Sequence, residues 1–162
     1  MALDLFRIDE RLLHGQVIVG WGMRLGIERY VVVDDELATS LWEQDLYSAG
    51  LPTDVSVRFL SVSDAIVCLP DLVDLPGRGA VLTRSTDSMR KLADANVLDG
   101  QRVNVGGLHE GARRRRALRY VSLRPEEADD LRAIESAGVE VSARDLPTSR
   151  KVGLEELLRA ID

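Results

Sequence analysis

The chain has 162 residues, which suits one domain with a full hydrophobic core. Hydrophobic residues make up 45% and charged residues 30%, and the net charge of -6 excludes a nucleic-acid binder held by bulk positive charge. No apolar run approaches the roughly 20 residues of a membrane-spanning helix, and the opening MALDLFRIDER lacks the form of a secretory signal, so a cytoplasmic location is expected.

Short apolar runs alternate with helix-like segments. A strand is expected over 3–8, then a helix over 15–25. The next strand is 30–33, where VVV is continuous rather than alternating. Ser40 with Glu43 forms a capping-box pattern opening a helix to about 49. A strand at 55–60 leads to a short helix over 63–69, stopped by Pro70. Cys68 lies in apolar AIVCL and reads as a buried structural thiol. After a loop at 70–79 come a strand at 80–83, a helix at 86–95 with Asp87 near its start, and a strand at 102–105. Residues 106–116 read as a loop and 120–123 as a strand. Pro125 suits the first position of a helix with Glu126 and Glu127 in its first turn and Gly138 past its end. A strand at 139–143 and a helix over about 152–161 close the chain.

Strand and helix in repetition imply a single α/β domain over 1–162, an open and mostly parallel sheet with helices on both faces. Continuous apolar strands fit a sheet covered on both sides. In such folds ligands sit beyond the carboxyl ends of strands. His14 falls just after the first strand and is followed by Gly15 and a helix start. A neutral imidazole is a nucleophile toward phosphorus near pH 7. Gly15 allows close backbone approach, and the free amides of Gly15 and Gln16 favour an anion there. Arg7 and Arg11 supply guanidinium groups for phosphoryl oxygens. Asp9 either orients His14 or pairs with Arg7 or Arg11. Glu10 reads as a solvated charge. Spacing alone leaves His14 open between this role and a satisfied, partly buried histidine.

The residues also carry a resemblance. RIDERLLHGQV (7–17), GWG and VVVDDE (31–36) resemble the IIB component of the mannose/sorbose family of the bacterial phosphoenolpyruvate-dependent sugar phosphotransferase system. VLTRSTDSMRKL (81–92), VNVGGLHEG (103–111) and GVEVSARDLPTS (138–149) continue it in order across the chain. The resemblance implies that His14, through Nδ1, takes a phosphoryl group from a IIA protein. His14 then passes it to sugar bound by membrane partners IIC and IID. It also implies one antiparallel edge strand, a possible homodimer, no cofactor and a cytoplasmic protein peripheral to its membrane permease. A regulator without transport, or a non-enzymatic anion- or protein-binding module, are the rival functions.

Other residues have two readings each. Thr83, Arg84, Ser85 and Thr86 end a strand, and their hydroxyls and amides either face the phosphoryl group or, for Ser85 or Thr86, cap the next helix. Gly106 and Gly107 either admit a ligand or turn the chain. His109 is a second phosphoryl carrier, lines the same crevice, or is a solvated loop histidine. Arg113, Arg114, Arg115 and Arg116 either dock an acidic partner or are solvated. Asp34 and Asp35 lack companions at metal-ligand spacing, so no metal is expected. No nucleotide P-loop is present.

Overall fold

Strand and helix alternate in the computed structural model, which describes residues 2–162. In chain order the strands are β1 (Ala2–Ile8), β2 (Arg29–Val33), β3 (Ser56–Leu60), β4 (Arg78–Thr83), β5 (Arg102–Val105), β6 (Arg115–Leu118), β7 (Val121–Leu123), β8 (Glu140–Ala143) and β9 (Val152–Gly153). A π-helix (Gln16–Met23) and a 3-10 turn (Leu37–Thr39) join α1 (Leu41–Ser48), α2 (Val62–Leu72), α3 (Thr86–Asp94), α4 (Pro125–Ser136) and α5 (Leu154–Arg159). Seven strands form one sheet in the order β3-β2-β4-β1-β5-β8-β9, parallel throughout except for β9, which runs antiparallel at the edge. β6 and β7 form a separate antiparallel pair.

The continuous apolar runs are explained by burial on two faces. Phe6, Ile8, Val31, Val33 and Val81 pack with α2, α3, α4 and α5. Leu5, Tyr30, Val32, Ala80 and Leu82 pack beneath the π-helix. Arg7 alternates with Phe6 and Ile8, so it lies on the π-helix face, in register with Asn104 of β5.

Several expected boundaries are corrected. α2 runs through Pro70 to Leu72, because Leu69 and Leu72 are buried and hold its last turn against the core. Ser40 precedes α1 but makes no side-chain cap; its box with Glu43 does not form. Residues 120–123 supply β7, outside the main sheet, and the expected loop 106–116 already includes the start of β6. Val152 belongs to β9 rather than to the last helix. Cys68 is half-buried.

The largest departure is the helix after β1, which is π rather than α. Gly22 lies so close to Tyr30 that a Cβ would overlap the phenol oxygen and stand 3.1 Å from Val17 O. Tyr30 Oη donates to Val17 O at 3.4 Å, competing for the carbonyl that an α-helix would give to a backbone amide. Burial pushes the Tyr30 hydroxyl up to about 12, so it stays a donor throughout the neutral range. Gly22→Ala is expected to cost about 1–3 kcal/mol in urea unfolding. The cost should shrink in a Tyr30→Phe background, and equal costs in both backgrounds would refute the contact.

Candidate functional site

The carboxyl end of β1 is stitched to both neighbours. Asp9 N donates to Thr83 O at 2.9 Å, Gly106 N to Ile8 O at 2.8 Å and Glu10 N to Gly107 O at 2.9 Å. A tight turn follows, with Leu12 N donating to Asp9 O at 3.0 Å. Leu12 closes it with φ 53, a left-handed conformation unusual for leucine, while its side chain is fully buried. Burial holds the strained residue in place. His14 emerges two residues later, beside the start of the π-helix.

The Asp9 carboxylate, with no exposed surface, gathers the site. Its Oδ1 accepts from Arg11 N at 3.1 Å and Arg11 Nε at 3.2 Å. Its Oδ2 accepts from Arg7 Nη2 at 3.2 Å, Arg11 Nη2 at 3.3 Å and Gly107 N at 3.1 Å. His14 Nε2 stands 3.2 Å from the same oxygen. That nitrogen is buried and lies off the line of an aligned N–H bond, so it stands beside the carboxylate without a formed hydrogen bond. Burial alone would raise the Asp9 pKa. The close approach of His14, the hydrogen bonds from Arg11 and Gly107 N and the Arg7 charge outweigh it and hold the carboxyl well below its usual range.

Arg7, expected to meet the phosphoryl group, is also fully buried. Its guanidinium bonds to Asn104 Oδ1, to Arg144 O at 2.9 Å and to Asp145 O at 3.1 Å, besides Asp9. It also lies 5.3 Å from the centre of the Trp21 ring. Burial lowers its pKa, and the Asp9 charge opposes that. Arg7 therefore stands beneath Asp9, with its charge directed at that carboxylate.

Arg11 is different: its side chain is 36% exposed and its Nη2 also reaches Gln16 Oε1 at 3.0 Å. Gln16 thus uses its carbonyl on Arg11. Gly15 has φ -52, a conformation open to any residue. A Cβ there would meet nothing within 4 Å, which leaves open space over the helix start. The first amide bonded at that start is Ile18 N, to His14 O at 2.9 Å, so the preceding amides lack helical acceptors.

Thr83 and Ser85, the other expected phosphoryl contacts, have partners within the fold. The Thr83 hydroxyl is buried and donates to Ser85 O at 2.9 Å. Ser85 caps α3, accepting from Ser88 N at 3.1 Å. Asp34 pairs with Arg84 at 2.7 Å, and Asp35 accepts from Val62 N at 2.8 Å, so both have structural roles.

Sequence reading missed the group beyond Asp9. Glu10 binds His109 and Arg114 instead of standing free in solvent. Arg114 also pairs with Glu127 at 2.7 Å, while Arg113 pairs with Glu126 and Arg115 reaches Ile161 O. The four-arginine run is therefore divided, with Arg113, Arg115 and Arg116 exposed and Arg114 turned inward. The acidic residues near Pro125 were the available signal, but β6 had to be recognised to use it.

A family model described as the PTS system sorbose subfamily IIB component matches residues 3–161. The chain belongs to that family. It is 31% identical over 154 residues to the N-acetylgalactosamine-specific phosphotransferase enzyme IIB component 1 of Escherichia coli strain K12, covering 91% of this chain and 92% of that protein. It is 26% identical to the PTS system mannose-specific EIIAB component of the same strain, covering 100% of this chain but 50% of that protein. The solved structure of manxB from Thermoanaerobacter tengcongensis superposes with a TM-score of 0.86 at 26% identity, covering 97% of this chain and 95% of that one. As a IIB component, the chain takes a phosphoryl group from a IIA protein and passes it on to sugar. The relative carrying both IIA and IIB names fits a IIA partner.

Two measurements check this IIB architecture. Asp9→Asn is expected to cost roughly 3–5 kcal/mol, because it uncovers buried cations. Since Asp9 titrates below its ordinary value in the fold, its contribution is present at neutral pH and fades as pH falls below about 4. The Asn variant should therefore show a flatter acid limb in urea unfolding between pH 5 and 2, and an unchanged limb would refute it. At Gly106 a Cβ would overlap the Arg7 guanidinium, so Gly106→Ala should lower the thermal midpoint by several degrees.

Proposed function

We propose that His14 is the phosphoryl acceptor and donor of this IIB component. The observation that carries the reading is a partly exposed imidazole whose Nε2 is fixed beside a buried carboxylate, next to Arg11 and unbonded helix-start amides. The resemblance implies Nδ1 as the attacking atom, and burial of Nε2 against Asp9 supports that choice. With the proton on Nε2, the Nδ1 lone pair attacks phosphorus on phospho-IIA. A new N–P bond forms, and the donor's bond to phosphorus breaks with its electron pair returning to the donor. The ring then carries positive charge, which the Asp9 anion offsets. Arg11 and the amides of Gly15 and Gln16 meet the phosphoryl oxygens. In the second half, a sugar hydroxyl attacks phosphorus, an O–P bond forms, the N–P electrons return to Nδ1 of His14, and the hydroxyl proton passes to solvent.

The acceptor sugar is held by membrane partners IIC and IID, and the chain works in the cytoplasm beside that permease. Among the described residues no helix is long and apolar enough to cross a membrane. A homodimer is also proposed: α1 exposes Leu41, Trp42 and Leu46, an apolar face that a second copy would cover.

The test is phosphorylation with phosphoenolpyruvate, the general phosphotransferase components and a IIA protein. Acid-labile label should map to His14 by mass spectrometry under alkaline conditions and vanish in His14→Ala. Label that survives this change, or maps to His109, sinks the assignment.

A further inference from the structure

The loop after β5 brings a second imidazole to the crevice. The point that a Cβ on Gly107 would occupy lies 3.0 Å from Arg11 Nη2, 3.1 Å from Asp9 Oδ1 and 3.1 Å from His109 Cε1. Only glycine leaves that space unfilled, so Arg11, Asp9 and His109 converge on one backbone position. The ring of His109 is half exposed and its Nδ1 lies 3.2 Å from Glu10 Oε2, which also accepts from His109 N at 3.2 Å. Glu10 is itself held by Arg114, and Arg114 by Glu127. A main-chain contact also fixes this loop: Arg114 Nη1 donates to His109 O at 2.7 Å.

We propose that His109 is a second phosphoryl-holding side chain, donating Nε2–H to the group carried on His14. This rests on the reading that His14 carries that group. Glu10 accepts a hydrogen bond from Nδ1–H, which assigns the opposite nitrogen to the crevice. In the neutral ring that nitrogen has a lone pair and repels phosphoryl oxygen. In the protonated ring it donates, making a charge-assisted hydrogen bond to the dianion. The charged groups facing His109 are Glu10 and Asp9 from the β1 loop, Arg11 from the same loop, and Arg114 from its own loop. Asp9 is saturated by Arg7, Arg11 and Gly107 N, so Glu10 is the carboxylate that serves His109. Function follows from this division: Asp9 orients the carrier ring while Glu10 orients the ring that grips its load. The consequence is a carrier whose phosphoryl group is retained longer when His109 is protonated.

The experiment uses phosphoramidate as a chemical phosphoryl donor on the full chain, with decay of the His14 label followed by mass spectrometry at pH 6 and pH 8. His109→Ala should shorten the label's lifetime relative to the unaltered protein by roughly tenfold at pH 6, the worth of one hydrogen bond to a charged group, and by little at pH 8. His109→Arg, which keeps a cationic donor, should restore a long lifetime at both values. Equal lifetimes for His109→Ala and the unaltered protein overturn the proposal while leaving His14 as carrier. A shortening that is equal at both pH values and is not rescued by arginine also overturns it, as a merely structural role. Absence of label on His14 overturns both readings together.

Discussion

One buried carboxylate organises the carboxyl end of β1. Asp9 has no contact with solvent, yet it stays ionised because Arg7, Arg11, His14 and a backbone amide surround it. A bare carboxylate at that depth would be strongly unfavourable. The surrounding cations would repel one another without it. Removing either sign leaves uncompensated charge of the other, so the group is stable only as a whole. Its geometric result is a histidine ring with one nitrogen committed and one side open.

That arrangement separates two tasks that are easily merged. Arg7 supplies fixed charge from below and is sealed by Asn104, Arg144, Asp145 and Trp21. Arg11 supplies a partly exposed guanidinium at the rim. The first keeps Asp9 ionised and the ring in place. The second is able to meet an anion. A phosphoryl carrier needs both, since its ring must attack with a chosen nitrogen and then tolerate positive charge beside a dianion. The backbone contributes through Gly106 and Gly107, whose missing side chains make room for Arg7 below and for Arg11 and His109 above. The two glycines of this loop are therefore a packing requirement of the charge cluster, and neither has a positive φ.

The π-helix links the site to the core. Tyr30, buried in β2, engages the Val17 carbonyl, and Gly22 permits its approach. The same helix carries Trp21 over Arg7 and donates from the indole to Asp145 O at 2.9 Å. The helix that begins beside His14 is thus held from below by the same strands that bury the charges. Its family relatives share the overall fold, as the TM-score of 0.86 to the Thermoanaerobacter structure shows.

Much of this was legible in the residues. Alternation of apolar strands and helices gave the parallel sheet, because a strand covered on both faces must be apolar throughout. The position of His14 after the first strand put it at a carboxyl end, where chain connectivity alone opens a crevice. Roles that depend on local hydrogen bonding were less secure: Ser85 proved to be a helix cap, and Ser40 precedes its helix without capping it. What only the tertiary structure decided is which charge meets which. Arg7 faces Asn104, Glu10 faces His109 and Arg114, and Asp34 faces Arg84, each pair being far apart in the chain. Their meeting depends on strand order and register, which place residues of one strand against those of another through backbone hydrogen bonds common to all sequences. Side-chain chemistry in a single chain records the charges, and the sheet selects their partners.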